Sequence, residues 1–485
     1  MFVATPINVF TRRYGELLYL FNRSNWTSAL LNISPSFDRL FSRHPVGVDC
    51  VAQEISNATG VDKACVECDI MEVITPLISD DFLVCGNRVV LGSTEGKANT
   101  KNEKVSTALG APGKNTKKST LERDNAESGT NVLMEYFKLH PTPFELCIDL
   151  TQACTARCVH CYVPGFDRIF LPKEFAVKAM REFKNMGGLK VKFTGGECML
   201  HPDFIELLNE AAANDLVISV LSNLSVCGNE EIMAMLQCNV AVVQCSLYGA
   251  DAKTHEAVTR RPTFSATINA IKELRKKDIP VRIHCPVMKQ NIEGIDGVLE
   301  LGRRMGIRVS LDASIMSRAD HVNTNRICEL TDGQLYEYLK KYEDIVSVDD
   351  KCGFYLDSEG LVCEIGTSKI CLAATGVYYP CNGCYDYVLG DCHSTLDVVW
   401  NGEPIRRIRT IKWNDMKNCL QCVNLPYCSV CPSRNFNATK NFAKPDPTVC
   451  RMANFRRLIS KEDENADATF KKYFCKILWS LYVYS

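Results

Sequence analysis

Three cysteines fall within eight residues at 154–161, in the stretch CTARCVHC. Thiolates are soft ligands that suit zinc or iron–sulfur centres. A structural zinc site or a closed cluster takes four of them. No fourth follows Cys161 at a similar spacing. Three thiolates on a four-iron cubane leave one iron without a protein ligand, an open position of the kind that binds substrate in metal catalysis.

Two more cysteine groups lie downstream. Cys363, Cys371, Cys381, Cys384 and Cys392 form one; Cys419, Cys422, Cys428, Cys431 and Cys450 form the other. The chain of 485 residues holds 26 cysteines in all. Its start, MFVATPINVFTRRYG, lacks the basic stretch, apolar core and small-residue cleavage site of a secretory signal. The chain is therefore expected in the cytosol, where clustered thiols bind metal or act in catalysis more often than they pair. The formal charge of −1, from 56 basic and 57 acidic residues, carries no nucleic-acid signature. No apolar run reaches the roughly 18 residues of a membrane span.

The elements that must position these residues alternate. FELCIDL (144–150), LKVKFTGG (189–196), LVISVLSN (216–223), AVVQCSLYG (241–249), PVRIHCPVM (280–288) and RVSLDASI (308–315) are strand-like, with helical stretches such as 172–187 and 265–278 between them. That alternation predicts the α/β class, with parallel strands in a barrel or sheet. CTARCVHC then lies on the first βα loop, at the functional face of a barrel. FTGGECMLHPDF (193–204) follows the second strand. Gly195 and Gly196 permit close backbone approach, and the Glu197 carboxylate can accept from an ammonium. Ser222 and Asn223 end the third strand, and Ser246 stands in the fourth. Cys147, Cys245 and Cys285 read as small buried hydrophobes. From about residue 350 the chain becomes loop-rich and cysteine-rich, like a small metal-stapled domain.

CxxxCxxC after the first strand, with His160 as the ring before the last cysteine, and GGE after the second resemble the radical S-adenosylmethionine (SAM) enzymes over roughly 144–320. The resemblance implies a partial (β/α)6 TIM-like barrel and a [4Fe–4S] cluster on Cys154, Cys158 and Cys161. It implies that Gly195, Gly196 and Glu197 hold the methionine amine of SAM. Ser222, Asn223 and Ser246 would add contacts, although cap or loop roles suit them equally. Arg260 or Arg261 would serve the SAM carboxylate. Reductive cleavage of SAM would yield a 5′-deoxyadenosyl radical that takes hydrogen from a substrate inside the barrel, fed by a flavodoxin- or ferredoxin-type electron donor.

Residues 363–450 resemble the SPASM extension. Gly376 to Cys381 fits its G-x4-C, and CLQCVNLPYCSVC (419–431) fits its CxxC-x5-C, except that two residues rather than three separate Cys428 from Cys431. LGDCHSTLDVVW (389–400) resembles its linking segment. The resemblance implies two auxiliary [4Fe–4S] clusters. Cys419, Cys422, Cys428 and Cys450 would hold the outer one. Cys363, Cys381 and Cys431 would hold the inner one with Cys371, for which Cys384 or Cys352 could substitute. A zinc ribbon is the structural alternative.

Residues 1–90 read as a hairpin (15–21 and 27–33) followed by three helices (34–44, 48–60 and 65–84, with Pro76 awkward in the last). This resembles the winged-helix-like PqqD-type domain that binds a leader peptide as an added strand; a generic capping module is the alternative. The expected domains are therefore 1–90 for recognition, 91–132 as linker, 133–345 as barrel, 346–455 as SPASM domain and 456–485 as a helical tail. Together these imply an enzyme that modifies a ribosomally made precursor peptide, by thioether or carbon–carbon crosslinking. A peptide epimerase is one alternative, with Cys198, Cys245 or Cys285 as hydrogen donor. A sulfatase-maturing or haem-precursor-modifying relative, without need of residues 1–90, is another. An iron–sulfur electron carrier is the non-enzymatic one.

Overall fold

The computed structural model describes residues 1–24, 27–86, 126–163, 165–342 and 360–464. Cys352, most of the expected linker and residues 465–485 of the tail lie outside them. The chain divides into two units, Met1–Thr130 and Asn131–Ser485.

In the first unit β1 (Phe2–Ala4), β2 (Val9–Tyr14), β3 (Leu17–Asn22) and β4 (Thr27–Asn32) precede a 3-10 turn at Pro35–Phe41. β5 (Val46–Gly47), α1 (Val48–Thr59), α2 (Lys63–Ser79) and β6 (Val84–Gly86) follow. The expected hairpin is β3–β4, and β2 pairs antiparallel with β3 to make it a three-stranded sheet. The sequence reading missed β2 because its VFTRRY pattern carries two arginines; Arg12 is nonetheless buried. The first expected helix is a 3-10 turn. α2 carries Pro76 in its last turn, at the loss of the hydrogen bond that a residue there would donate to the Glu72 carbonyl. It ends at Ser79; residues 80–83, read as its continuation, form a turn, and Val84 begins β6, paired with β1.

α3 (Ala126–Leu139) runs across the division, and the second unit then builds six parallel strands: β7 (Glu145–Thr151), β8 (Lys190–Gly195), β9 (Val217–Ser222), β10 (Val242–Ser246), β11 (Val281–Pro286) and β12 (Arg308–Asp312). All six expected strands are present. Between them run α4 (Lys173–Asn185), α5 (Phe204–Ala213), α6 (Asn229–Gln237), α7 (Ala252–Thr259), α8 (Phe264–Lys276) and α9 (Ile295–Met305), with α10 (Asp332–Lys341) after β12. β7 is buried at every position, as a parallel strand covered on both faces must be. α4 shows how the outer layer seats itself: Ala176, Ala179, Met180 and Phe183 form one buried stripe.

The cysteine-rich region does not begin as a separate body. β13 (Lys369–Leu372) pairs parallel with β7 and continues the barrel sheet, followed by β14 (Val377–Tyr379) and β15 (Gly390–Asp391), both antiparallel. The sheet order is β12-β11-β10-β9-β8-β7-β13-β14-β15. Trp400, in the segment 389–400, is buried; its Nε1–H donates to Pro141 O at 3.2 Å, and the Arg409 guanidinium lies 4.5 Å above its ring. The last helices are α11 (Leu396–Trp400), α12 (Glu403–Ile408), α13 (Lys417–Leu420), α14 (Pro432–Thr439) and α15 (Pro447–Glu464). Buried Asp446 accepts from Arg326 at 2.7 Å, and Arg451 meets Asp332 at 2.6 Å. These contacts fix the start of α15 against the barrel. Among the described residues no helix is long and apolar enough to cross a membrane.

Candidate iron–sulfur and SAM site

The loop after β7 carries Cys154, Cys158 and Cys161, and backbone hydrogen bonds hold it on both sides. Arg157 N–H donates to Thr259 O and Val159 N–H to Val258 O, which fastens the loop to the end of α7. Gly196 N–H donates to Thr151 O at 2.7 Å and Glu197 N–H to Ala153 O at 2.8 Å, which fastens it to the turn after β8. This closeness explains the paired glycines. A Cβ on Gly195, whose φ is +131°, would stand 2.4 Å from Thr151 O, and one on Gly196 would stand 2.3 Å from Ala153 O.

Burial pushes the Cys154 thiol up to about 11 and the Cys158 thiol up to about 12, and it raises Cys161 as well. The three sulfurs act on one another electrostatically. Such thiols ionise readily only against a cation, which a soft metal centre provides. Among the described residues no three such side chains close around a single ion; three sulfurs on one half-buried loop suit a larger cluster. The Arg157 guanidinium braces the loop by donating to Cys154 O and Ala156 O, both at 2.7 Å.

The expected cofactor residues fare differently. Glu197 is fully buried. Its Oε1 accepts from Ser222 Oγ–H at 2.8 Å and Met199 N–H at 3.2 Å, and its Oε2 accepts from Asn223 N–H at 2.8 Å. Glu197 thus clasps the ends of β8 and β9, and Oε2 keeps lone-pair capacity for an incoming ammonium. Burial pushes this carboxyl up, so a bound cation would relieve it. Ser222 is committed to Glu197 and caps Leu224 N–H. Asn223 brings its Nδ2 to 3.7 Å from Cys154 Sγ and 3.1 Å from Thr155 Oγ1. Ser246 ends β10 opposite His284. Arg260 and Arg261 are both exposed at the end of α7. Arg260 ends α7 in a left-handed conformation (φ 53°), and it is the preceding carbonyls, of Val258 and Thr259, that meet the cysteine loop.

Tyr248 and Asn325 belong to this site and were not legible beforehand. The Tyr248 hydroxyl lies 3.8 Å from Cys158 Sγ, and its ring meets His160 edge-on at 5.2 Å. Asn325 donates to His160 O at 3.0 Å. Burial pushes His160 down to about 4, so its ring is neutral, and Nδ1 is buried without a hydrogen-bond partner. That orphaned atom beside the cysteine loop fits a site completed by a bound cofactor. Cys198, Cys245 and Cys285 are all fully buried in the hydrophobic core.

The later cysteines gather from distant segments. Cys419 on α13, Cys422, Cys428 and Cys450 on α15 act on one another. Cys363, Cys381 and Cys431 form a second set. Cys384 N–H donates to Cys381 O at 3.0 Å, the same turn that joins Cys161 to Cys158 and Cys422 to Cys419. The Cys384 thiol feels both Cys381 and Cys431. Cys371 also feels Cys381, while it donates to Asn382 Oδ1 at 3.3 Å and packs with Cys147 and Tyr379. Cys392 is buried beneath Gly376.

A family model described as the radical SAM superfamily matches residues 148–302, and one described as the iron–sulfur cluster-binding domain SPASM matches 363–423. The chain is 23% identical over 335 residues to an AdoMet-dependent heme synthase of Methanosarcina barkeri, covering 62% of this chain and 94% of that protein. It is 22% identical to AlbA, the antilisterial bacteriocin subtilosin biosynthesis protein of Bacillus subtilis, covering 70% and 78%. Streptococcus suis SuiB, solved with S-adenosylmethionine, has a similar fold with a TM-score of 0.57 at 16% identity, covering 92% of this chain and 99% of that one. SuiB has also been solved with its precursor peptide SuiA, at a TM-score of 0.56 to this chain. The first model takes in Cys154, Cys158 and Cys161 and the second takes in Cys363 through Cys422, and the chain is thereby an enzyme that carries a radical SAM domain followed by a SPASM iron–sulfur cluster-binding domain.

Proposed function

We propose that this enzyme modifies a ribosomally made precursor peptide, forming a thioether or carbon–carbon crosslink. The observation that carries this reading is the extent of the likeness to SuiB. A match over 92% of this chain must take in much of residues 1–130, whereas the heme synthase matches only 62%. The first unit offers antiparallel sheets with helices beside them, an arrangement on which a leader peptide can be bound as an added strand. Tethering a leader raises the effective concentration of the attached core peptide at the barrel.

In this reading Cys154, Cys158 and Cys161 hold the initiating [4Fe–4S] cluster, which on binding SAM supplies the 5′-deoxyadenosyl radical. Glu197 offers a buried acceptor to the SAM ammonium, the glycine turn lets backbone approach, and His160 presents its open Nδ1. Tyr248 and Asn223 orient the cysteine loop, and the barrel excludes water. Cys419, Cys422, Cys428 and Cys450 hold the outer auxiliary cluster. Cys363, Cys381 and Cys431 hold the inner one, and we assign its fourth thiolate to Cys384, since Cys371 is engaged with Asn382 and Cys147. Crosslinking is favoured over epimerisation because Cys198, Cys245 and Cys285 are core residues.

The test is anaerobic incubation of the reconstituted enzyme with SAM, a reductant and the short peptide encoded beside its gene. Crosslinking lowers the peptide mass by two hydrogens and leaves it unchanged without SAM. Deleting residues 1–90 should stop peptide conversion while 5′-deoxyadenosine still forms. An unchanged peptide mass with an altered α-carbon would establish epimerisation instead, and full conversion by the deleted enzyme would point to a substrate of another kind.

A further inference from the structure

The two ends of the barrel use their inward side chains differently. At the floor, Glu145 on β7 pairs in register with Lys190 on β8, and both are buried. Lys192, buried one pleat along, sets its Nζ 3.2 Å from Glu145 Oε1. That charge is answered where it stands. Toward the cysteine loop the inward face is polar and only half-buried. Ile283 and Cys285 on β11 are buried in the core that the helices share, so the alternate residue His284 looks into the barrel. Ser246, His284 and Ser310 stand side by side across β10, β11 and β12, all half-buried. Asp312 lies one pleat beyond Ser310 on the same face.

His284 is held in one orientation. Ser310 Oγ–H donates to Ile283 O at 3.3 Å, so its oxygen accepts from His284 Nδ1–H at 3.1 Å. With its proton on Nδ1, the imidazole keeps the lone pair of Nε2. Among the described residues no partner engages that nitrogen. His201 and His255 are buried too, but each has both nitrogens engaged. His201 meets Leu171 O and Asp203 N–H; His255 meets Tyr248 N–H and Thr263 Oγ1. Desolvation favours the neutral His284 ring, against the Asp312 carboxylate, and His160 of the cysteine loop acts on it as well.

We propose that His284 is a catalytic residue of the crosslinking step, the base that takes a proton from the peptide through Nε2. The inference rests on the crosslinking reading above. A crosslink removes two hydrogens from the peptide, and the first leaves as an atom to the 5′-deoxyadenosyl radical. For a thioether, the peptide thiol gives its proton to Nε2, the sulfur bonds to the carbon radical, and the surplus electron passes to a one-electron iron–sulfur oxidant. For a carbon–carbon bond, the carbon radical adds to an unsaturated carbon, and the adduct gives that oxidant an electron and Nε2 a proton. Either way the peptide loses one hydrogen atom, one proton and one electron. Asp312 then favours the imidazolium that forms.

The test uses the reconstituted full chain, SAM, a reductant and the short peptide encoded beside its gene, made with deuterium on all its carbons. Deuterium carried into 5′-deoxyadenosine counts hydrogen abstraction, and the peptide mass counts crosslinks. If the parent enzyme transfers deuterium and forms no crosslink, the crosslinking reading fails and the proposal falls with it. If the parent forms crosslinks, His284→Gln should lower the number made per deuterium transferred by about 100-fold, as loss of a positioned base does. Added imidazole should raise that ratio again in His284→Ala. A ratio in His284→Gln equal to that of the parent overturns the proposal. Should His284→Gln transfer no deuterium, Ser310→Ala decides, because it frees Nδ1 and keeps the ring: a lowered ratio supports the base, and an unchanged one refutes it.

Discussion

The initiating cysteines and the auxiliary cysteines are assembled by opposite means. Cys154, Cys158 and Cys161 share one short loop, and hydrogen bonds from α7 and from the turn after β8 give that loop its shape. The auxiliary sets are drawn together from residues 363 to 450, across strands, turns and helices, and depend on the whole extension being folded. A local loop can leave one metal position open because its partners hold the backbone and leave the cluster free. A gathered set closes round its metal, and metal and fold then stabilise one another.

The comparison breaks most sharply at the initiating loop. Replacing Cys154, Cys158 and Cys161 together with Ala should abolish 5′-deoxyadenosine formation from SAM and leave the auxiliary iron bound. Iron falling to zero would mean that the two sites are not independent. A smaller effect separates Cys384 from Cys371. Cys384→Ser should lower iron content and alter the inner-cluster resonance, whereas Cys371→Ser should leave both near those of the parent; the reverse pattern would return the fourth position to Cys371.

The smallest effect tests where the two regions are stitched together. Asp149 on β7 is buried and accepts a hydrogen bond from the Tyr379 hydroxyl of β14 at 2.5 Å. Burial pushes its carboxyl up to about 6, against the donors Tyr379 and Tyr385 that pull it down. A raised carboxyl contributes stability that is complete below its unfolded value of about 3.8 and is lost as pH rises through about 6. The lost term is about 3 kcal/mol. Asp149→Asn should therefore flatten the dependence of the thermal midpoint on pH between about 4 and 7. A slope equal to that of the parent would assign the dependence to other groups.

The barrel was largely legible because period and motif coincide there. Each strand is a short apolar run, each helix an amphipathic stretch, and CxxxCxxC and GGE fall on successive loops. The floor of charge around Glu145 was not legible, because Lys190 and Lys192 alternate with Val191 and Phe193 like any half-exposed strand, and only the sheet's closure buries them. β13 escaped notice for a related reason: KICL becomes a strand by pairing with β7, and nothing within it announces a partner more than two hundred residues away. The exposure of Arg260 could not be foreseen either, since a left-handed helix end is unusual for a residue other than glycine. Glu197 was singled out through its GGE motif, but its burial and its part in joining β8 to β9 follow from tertiary contacts with Ser222 and Asn223.

The pairing of β13 with β7 has a consequence for dissection of the chain. A barrel truncated ahead of residue 360 would lose its outer strands and present the β7 margin bare. That margin is a row of unpaired amides and carbonyls flanked by buried side chains, and it invites pairing with another chain. The isolated barrel should therefore self-associate when expressed alone, and the cysteine-rich extension, besides holding iron, serves the barrel as its solubility cover.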